Sequence, residues 1–432
     1  MARTSTRARL VRAPRERVTR ESAPAPAART AWLFHPLPRG DANGRMVLVV
    51  TTLLLTYGTI ALASASEGQS SANGASSFAL LIRDGAYLVF GLVALYLMAR
   101  IRLDLLVRYA RQLTYAGIGL LVAVEAVGVS ANGGKRWLNL KLINLQPSEL
   151  FKLLTVLYVA WLVQRHHNEL GRARQLFFGT VPVTLGAGLI ILEPDIGTSS
   201  VVLAIAFVML AIAGLSRKLL ARIAGGGLIV FALYMKAKPY AAARFFSFLH
   251  PTHDPLGGGY QLIQSKIGLG TGGLTGLGLG HSREKWGLLP NPHTDFIFTI
   301  VGEELGYIGA LVVLGLFVWF LFAGLRVAGQ CTNPVYQLLA VGITTWITLE
   351  AIINIFSVVG WWAVTGIPLP FFSYGGTALI TELAAVGLLY NVAHDRSRAG
   401  DVTIREQTVA HRDVRGAESS PGRDRYGHPR GR

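Results

Sequence analysis

The chain has 432 residues, 51% of them apolar and 15% charged, with a net charge of +17. Soluble domains are about one-quarter charged; this composition holds too few ions to wet a globule of such length, which excludes a soluble enzyme, a coiled coil and a disordered scaffold. The apolar residues lie in blocks of about 16–25, enough to cross a hydrocarbon core roughly 30 Å thick, and the fold class they imply is an all-α polytopic membrane protein.

Residues 1–45 are rich in Arg, Ala and Pro, with few large apolar side chains. Such a segment cannot bury enough surface to offset chain entropy, and it is expected to be a disordered, basic cytoplasmic tail. Residues 395–432 read the same way. Most of the excess positive charge lies in these two tails, where orientation and attraction to anionic membrane lipid account for it; no nucleic-acid recognition motif accompanies it. The first apolar run, 46–64, contains Ala61-Leu62-Ala63, the small-residue pattern of a signal-peptide cleavage site. The basic stretch before it is too long for a signal and the run is membrane-length, so an uncleaved first span is expected. Further runs follow at 78–98, 113–130, 148–163, 176–192, 198–213, 219–235, 296–325, 336–359 and 378–393. The unit 46–394 therefore reads as about ten transmembrane helices, with a large extracytoplasmic loop, 237–294, between helices seven and eight.

Lys and Arg concentrate in cytoplasmic loops. Arg100, Arg102, Arg108 and Arg111 follow the second run, Arg165, Arg172 and Arg174 the fourth, Arg217 and Lys218 the sixth, Arg326 the eighth, and Arg396 and Arg398 the tenth. The segments after runs one, five and nine carry none. An even count with both termini cytoplasmic fits this distribution. Two outward segments are exceptions: the short one after run three holds Lys135, Arg136 and Lys141, and the long loop holds Lys238, Arg244, Lys266, Arg283 and Lys285. Cations in a short outward loop suggest something anionic held on the outer face, although ordinary solvated charge also fits. Cys331 is the only cysteine, so no intrachain disulfide forms.

The fourth run opens Gln146-Pro147-Ser148-Glu149-Leu150-Phe151-Lys152. Proline at the first helical position and an acid in the first turn are start signals. Lys152 opposes the macrodipole and enters the apolar run, where ionisable groups are paired or functional. Glu149, three residues earlier, shares its face, so an ion pair and a phosphate contact both fit and can coexist. The connection Glu193-Pro194-Asp195-Ile196-Gly197-Thr198 suits a helix cap somewhat better than a metal site or an ion pair to the cationic loop. Gly268-Leu269-Gly270-Thr271-Gly272-Gly273 matches the dinucleotide fingerprint formally but follows no strand; glycine this dense among Leu and Ile suits a re-entrant or interfacial segment packed beside a cavity.

Asp295 stands where the outer loop becomes helix eight, beside His293. A lone Asp there is often a cap, but this one lies beneath several cations. Glu303 is eight residues on, about 12 Å of helical rise, beyond the roughly 5–9.5 Å of a glycosidase carboxyl pair. A hydrolase is therefore disfavoured, and Glu303 or Glu304 is expected to satisfy buried partners. One base suffices when the donor sugar carries a diphosphate, which leaves as a stable anion. A carboxylate then deprotonates the attacking hydroxyl, and cations or a divalent ion steady the diphosphate. Asp295 and the outward cations, Arg136 and Arg244 among them, supply those parts.

Gly134-Lys135-Arg136-Trp137, the 146–152 and 193–198 segments just quoted, and Gly259-Tyr260-Gln261 follow one another in the chain. Next come His293-Thr294-Asp295-Phe296-Ile297-Phe298, Gly302-Glu303-Glu304-Leu305-Gly306 and Pro370-Phe371-Phe372-Ser373-Tyr374-Gly375-Gly376. In this series the chain resembles the SEDS family (shape, elongation, division and sporulation) of bacterial cell-wall polymerases, over roughly residues 45–394. The resemblance implies a ten-helix glycosyltransferase that polymerises lipid II, the undecaprenyl-diphosphate-linked disaccharide-pentapeptide, on the outer face of the cytoplasmic membrane. It implies Asp295 as the catalytic residue and functional importance for Arg136 and Lys152. With Glu149, Arg244 and His293 these two make up the candidate substrate-binding set. It also implies a class B penicillin-binding protein, a single-span transpeptidase, as partner, together with other divisome proteins. A divalent cation (Mg or Mn) is implied with no assignable ligands.

Lys285-Trp286-Gly287-Leu288-Leu289-Pro290 is closer to the division type, FtsW, than to the elongation type, RodA. Pro290-Asn291-Pro292 departs from the Pro-Glu-Ala common before the His in the division type, which leaves the elongation and sporulation types open. The expected product is a β-1,4 glycan formed with inversion. The rivals are a lipid II flippase or transporter, using Glu125, Glu350 and Glu382 in the apolar runs but lacking a legible internal repeat, and a noncatalytic scaffold for the transpeptidase. Asn354, Ser373 and Tyr374 are expected to pack rather than line a cavity.

Overall fold

A computed structural model describes residues 42–394 except 74–76, 132–133, 140–143, 167–172 and 291, with side chains further left aside at 67–73, 77–81, 130–131, 173–175, 240–241 and 244. The two expected tails lie outside the described residues, except that 42–45 already belong to the first helix. In chain order the helices are α1 (Ala42–Asn73), α2 (Ser77–Arg100), α3 (Leu103–Val127), α4 (Pro147–Arg165), α5 (Ala173–Leu192), α6 (Ile196–Ile212) and α7 (Arg217–Ala237). After them come α8 (Pro239–Phe246), α9 (Tyr260–Thr271), α10 (Ile297–Gln330), α11 (Pro334–Val359) and α12 (Thr377–His394).

The apolar runs of the sequence fall on these helices. Six of them, α1, α2, α7, α10, α11 and α12, are long and apolar enough to cross a membrane, and α5 and α6 are shorter apolar helices. α4 is buried nearly all round, from Pro147 to Val163, as a helix at the centre of a bundle must be; α3, α6 and α11 surround it. α7 is its opposite, with Met235 its one buried residue. Large apolar side chains such as Val93, Leu228, Val312 and Phe322 stand exposed on the outside, a surface suited to lipid rather than water.

Three differences from the sequence reading have physical causes. α3 begins at Leu103, about ten residues before the apolar run that announced it. Its first turns are amphipathic: Leu103, Val107 and Ala110 are buried at helical spacing while Arg108 and Arg111 face out, so a hydropathy run starts too late. The fold is also not purely helical. β1 (Val129–Ala131), β2 (Gly134–Asn139) and β3 (Asn144–Leu145) form an antiparallel sheet in the order β1-β2-β3. Val129 pairs with Trp137 across a bulge, and Leu138 with Leu145. Strands this short are below what hydropathy resolves, and β1 was absorbed into the third run.

The third difference lies in α10, which is interrupted at Gly306 (φ 67°, ψ −167°). The interruption frees backbone groups that a continuous helix would pair. The glycine-rich segment after α9 takes them up: Leu277 N donates to Glu303 O (3.0 Å), Gly278 N to Glu304 O (2.9 Å), Tyr307 N to Gly273 O (2.9 Å) and Ile308 N to Leu274 O (3.2 Å). Backbone groups freed inside a helix need such partners when they are buried. The contact needs glycine, because a Cβ on Gly276 would lie 2.1 Å from Glu304 O and one on Gly272 2.0 Å from Gly302 O.

Candidate active site

Asp295 lies in the turn before α10, half-buried. The helix N-cap is the next residue, Phe296, whose side chain makes no capping bond. Three consecutive carbonyls around it are pinned from other elements. Tyr374 N donates to His293 O (2.9 Å), Ser373 Oγ to Thr294 O (2.6 Å) and Asn354 Nδ2 to Asp295 O (2.8 Å). Asn354 Nδ2 also donates to Ile367 O (2.8 Å), and Ser373 Oγ accepts from Leu369 N (2.8 Å). Asn354 is on the last turns of α11, and the rest belong to the α11–α12 connection, so one loop both supplies and receives the ties. Its Gly366 has φ +73°, and a Cβ there would sit 3.5 Å from Asp295 Oδ2; the carboxylate lies against the bare backbone of this loop.

His293 is buried beside Tyr374, with ring centroids 6.1 Å apart. Its Nδ1 has no hydrogen-bond partner, and burial pushes its pKa below the ordinary value. The ring is therefore neutral at neutral pH and adds no positive charge to the site.

Arg136, on β2, donates from Nε to Glu193 O (2.9 Å) and from Nη2 to Pro194 O (2.6 Å). It latches the hairpin onto the α5–α6 turn. Asp195 caps α6 as its sequence position suggested, with Oδ1 accepting from Thr198 N and Oδ2 from Thr198 Oγ1, each at 3.0 Å. Glu193 is buried, and neither carboxylate oxygen has a partner. Burial, then the charges of Asp195 and Glu125, push its pKa up to about 8 against the pull of Arg136. The same turn reaches the loop around Asp295: a Cβ on Gly197 would lie 2.8 Å from Ile367 Cγ1 and 3.0 Å from Thr365 O. Hairpin, α5–α6 turn and Asp295 thus meet across residues 365–367, at one end of the bundle.

Lys152 sits deeper. It is buried, with Nζ 2.7 Å from Glu149 Oε2, in direct contact with Glu350 Oε1, and 5.2 Å from the Trp346 ring centre. Trp346 Nε1 holds the other Glu350 oxygen at 2.7 Å. The ion pair with Glu149 is present, and Glu350 makes it a triad. Lys152 and Glu149 therefore lie inside the bundle rather than on an open cleft. Glu350 is one helical turn before Asn354, about 6 Å along α11, which sets the triad just beneath the group that pins Asp295. Arg244 is on α8, and its side chain lies outside the described residues.

Glu303 and Glu304 are committed to structure. Glu303 accepts from Ser282 Oγ, Arg283 N (3.0 Å) and Glu284 N (3.3 Å). Glu304 accepts from Ser64 Oγ (2.5 Å) and Ser282 N (3.3 Å), with Lys285 Nζ at 3.7 Å. Sequence reasoning missed two residues here, Glu350 as the partner of Lys152 and Asn354 as the tie on Asp295. Their i,i+4 spacing on an otherwise apolar helix was the available signal. Among the described residues no group of three or more His, Cys, Asp or Glu is arranged to hold a metal ion, so these side chains alone do not fit a resident divalent site.

Known proteins share this architecture. The chain is similar to a probable peptidoglycan glycosyltransferase FtsW of Thioalkalivibrio sulfidiphilus, 39% identical over 366 residues that cover 81% of this chain and 89% of the relative. It is similar to the stage V sporulation protein E of Bacillus subtilis, 36% identical over 81% of this chain and 96% of that protein. Among solved structures it resembles the rod shape determining protein RodA of Thermus thermophilus, with TM-score 0.61, 27% identity and coverage of 81% and 96%. It also resembles a chain from work on structural coordination of polymerization and crosslinking by a peptidoglycan synthase complex, with TM-score 0.68, 28% identity and coverage of 81% and 97%. The sequence profile shared by FtsW, RodA and SpoVE, described as cell cycle proteins, matches residues 44–398 and so takes in the hairpin, the α5–α6 turn, the pinned Asp295 and the loop that pins it. With all but the first two residues of the helical unit inside that match, the chain belongs to the FtsW/RodA/SpoVE family of cell cycle proteins.

Proposed function

We propose that this chain is a peptidoglycan glycosyltransferase that polymerises lipid II at the outer face of the cytoplasmic membrane, in septal wall synthesis. The 4-hydroxyl of one lipid II attacks the anomeric carbon of a second, lipid-diphosphate-linked chain. Asp295 takes the hydroxyl proton as the new C–O bond forms. The bond from the anomeric carbon to the diphosphate oxygen breaks, its electron pair leaving with undecaprenyl diphosphate, and inversion gives a β-1,4 linkage. The observation that carries this reading is the pinning of the 293–295 backbone by three separate ties, the last of them on Asp295 itself, since a base must be held within hydrogen-bond reach of its proton while substrates come and go.

Arg136 has five N–H donors, of which the two ties to the α5–α6 turn use part. The remainder suit the diphosphate, as does the planar fork itself. Lys152, with Glu149, acts from below through α11 in this reading, and His293 offers a neutral ring beside the base. Arg244 completes the anion-binding set. A divalent ion belongs to the scheme only as one that arrives with the diphosphate. Ten helices cross the membrane, both tails are cytoplasmic, and the 237–294 loop is extracytoplasmic. A class B penicillin-binding protein crosslinks the strands, with other divisome proteins assembled around the pair.

The test is strand formation from lipid II by purified protein in detergent, where flipping has no meaning. Asp295→Asn is expected to lower strand formation about 10²–10⁴-fold, the usual worth of a general base, with an unchanged melting transition. Full activity in that variant refutes the role, and absence of strands from wild type together with its transpeptidase refutes the polymerase reading in favour of a flippase.

A further inference from the structure

At the other end of the bundle the ends of α3, α4 and α11 enclose a cavity of about 460 Å³ that the proposed reaction does not use. Asn333, on its rim, is the N-cap of α11, and Asn354, which ties Asp295, stands 21 residues further along it, about 31 Å, so the cavity lies a bilayer's thickness from Asp295. Its lining includes Asp104, Arg108, Trp161, Gln164, Arg165 and Tyr336. Tyr336 donates its hydroxyl to Asp104 Oδ1 (2.6 Å), and the Arg111 guanidinium lies 5.7 Å from the Trp161 ring centre. The balance of charge is positive, and with the Tyr336 hydroxyl taken up by Asp104 the remaining donors are guanidinium and amide groups, a set suited to phosphate oxygens.

We propose that this cavity binds a phosphate-bearing ligand, namely the headgroup of an anionic membrane phospholipid. Three features favour a lipid over a soluble phosphate. The cavity opens where charged loops meet the membrane-length helices, at the end that carries the cationic loops. Trp161 and Tyr336 are of the aromatic type that sits at that level. Tyr115 and Val122 follow Arg108 at seven-residue steps on α3 and are 55% and 51% exposed, so an uncovered stripe for an acyl chain leads away from the mouth. Basic pockets between helices at this depth hold anionic headgroups in general. Here the headgroup would clasp α4 and α11, the two helices that the Lys152–Glu350 contact joins further in.

The full chain, purified in detergent, is offered phosphatidylglycerol or phosphatidylcholine, and retained lipid is read by native mass spectrometry. Inorganic phosphate serves as the soluble probe. Phosphatidylglycerol is expected to be retained over phosphatidylcholine and not displaced by inorganic phosphate. Arg108→Gln and Arg165→Gln are each expected to weaken that retention about fivefold, with melting in phosphatidylcholine unchanged. The Asp295→Asn variant is expected to retain phosphatidylglycerol like wild type, so this result is independent of the polymerase reading. Displacement by inorganic phosphate overturns the lipid assignment. Equal retention of the two lipids, or a double Arg variant that binds as wild type does, overturns the site.

Discussion

Because the carbonyls of His293, Thr294 and Asp295 accept from Tyr374, Ser373 and Asn354 in turn, removing the Asn354 amide unties the last carbonyl and leaves the carboxylate itself intact. Asn354→Ala is expected to lower kcat for strand formation about tenfold to a hundredfold, the scale of a buried hydrogen bond left unmade. KM for lipid II should be little changed, and steady-state kinetics on purified protein separates the two. Glu193 gives a pH prediction. Its pKa rises from the ordinary carboxylate range to about 8 in the folded chain, first through burial, so the native state holds a proton that the unfolded state has lost. Stability from this group is full below the unfolded pKa and is lost as pH rises towards about 8. Wild type should therefore melt at falling temperature between about pH 5 and 8, and Glu193→Gln should flatten that slope. Asp295 stood out in the sequence through its place in the His293-Thr294-Asp295-Phe296 series and among outward cations, although a lone Asp at a helix start is often a cap. Asn354 and Glu350 did not, since a single polar residue on an apolar helix reads as packing until its partners are known.

The elements repeat this contrast. Long apolar stretches announced their helices because burial in lipid leaves one solution for the backbone. The hairpin was invisible: its strands are stabilised by the latch of Arg136 on the α5–α6 turn, a contact between segments 57 residues apart. The break in α10 was equally hidden, since the apolar run resumes directly after Gly302-Glu303-Glu304-Leu305-Gly306 and nothing in that stretch names the distant loop that pairs with it. Gly306 is held at φ 67°, ψ −167°, a region open essentially to glycine alone, and a Cβ there would stand 2.4 Å from Gly276 N. Gly306→Ala is expected to cost at least about 1–3 kcal/mol from the backbone conformation alone, with the clash added. A thermal melt in detergent checks it, and Gly315→Ala, with open space at its Cβ, is the neutral control on the same helix.

For the whole molecule, the charge distribution and the fold make one joint prediction through Cys331, the chain's only cysteine. It follows α10 directly, on the face assigned to the cytoplasm. A membrane-impermeant maleimide should not label it in intact spheroplasts and should do so after permeabilisation. Trp361, just past α11 and 69% exposed, should label from outside as Trp361→Cys in a Cys331→Ala background. The reverse pattern inverts the topology and removes Asp295 from the compartment where polymerisation is proposed. The break at Gly306 bears on how such a molecule can move. A gap in a long helix resembles a swivel, yet four backbone hydrogen bonds stitch this one to the glycine-rich loop. Tearing that seam would leave every amide it holds without its present partner, all at once. The stretch of α10 ahead of Gly306 and the glycine-rich loop are therefore expected to travel as one plate, with any opening towards an incoming lipid along its edges.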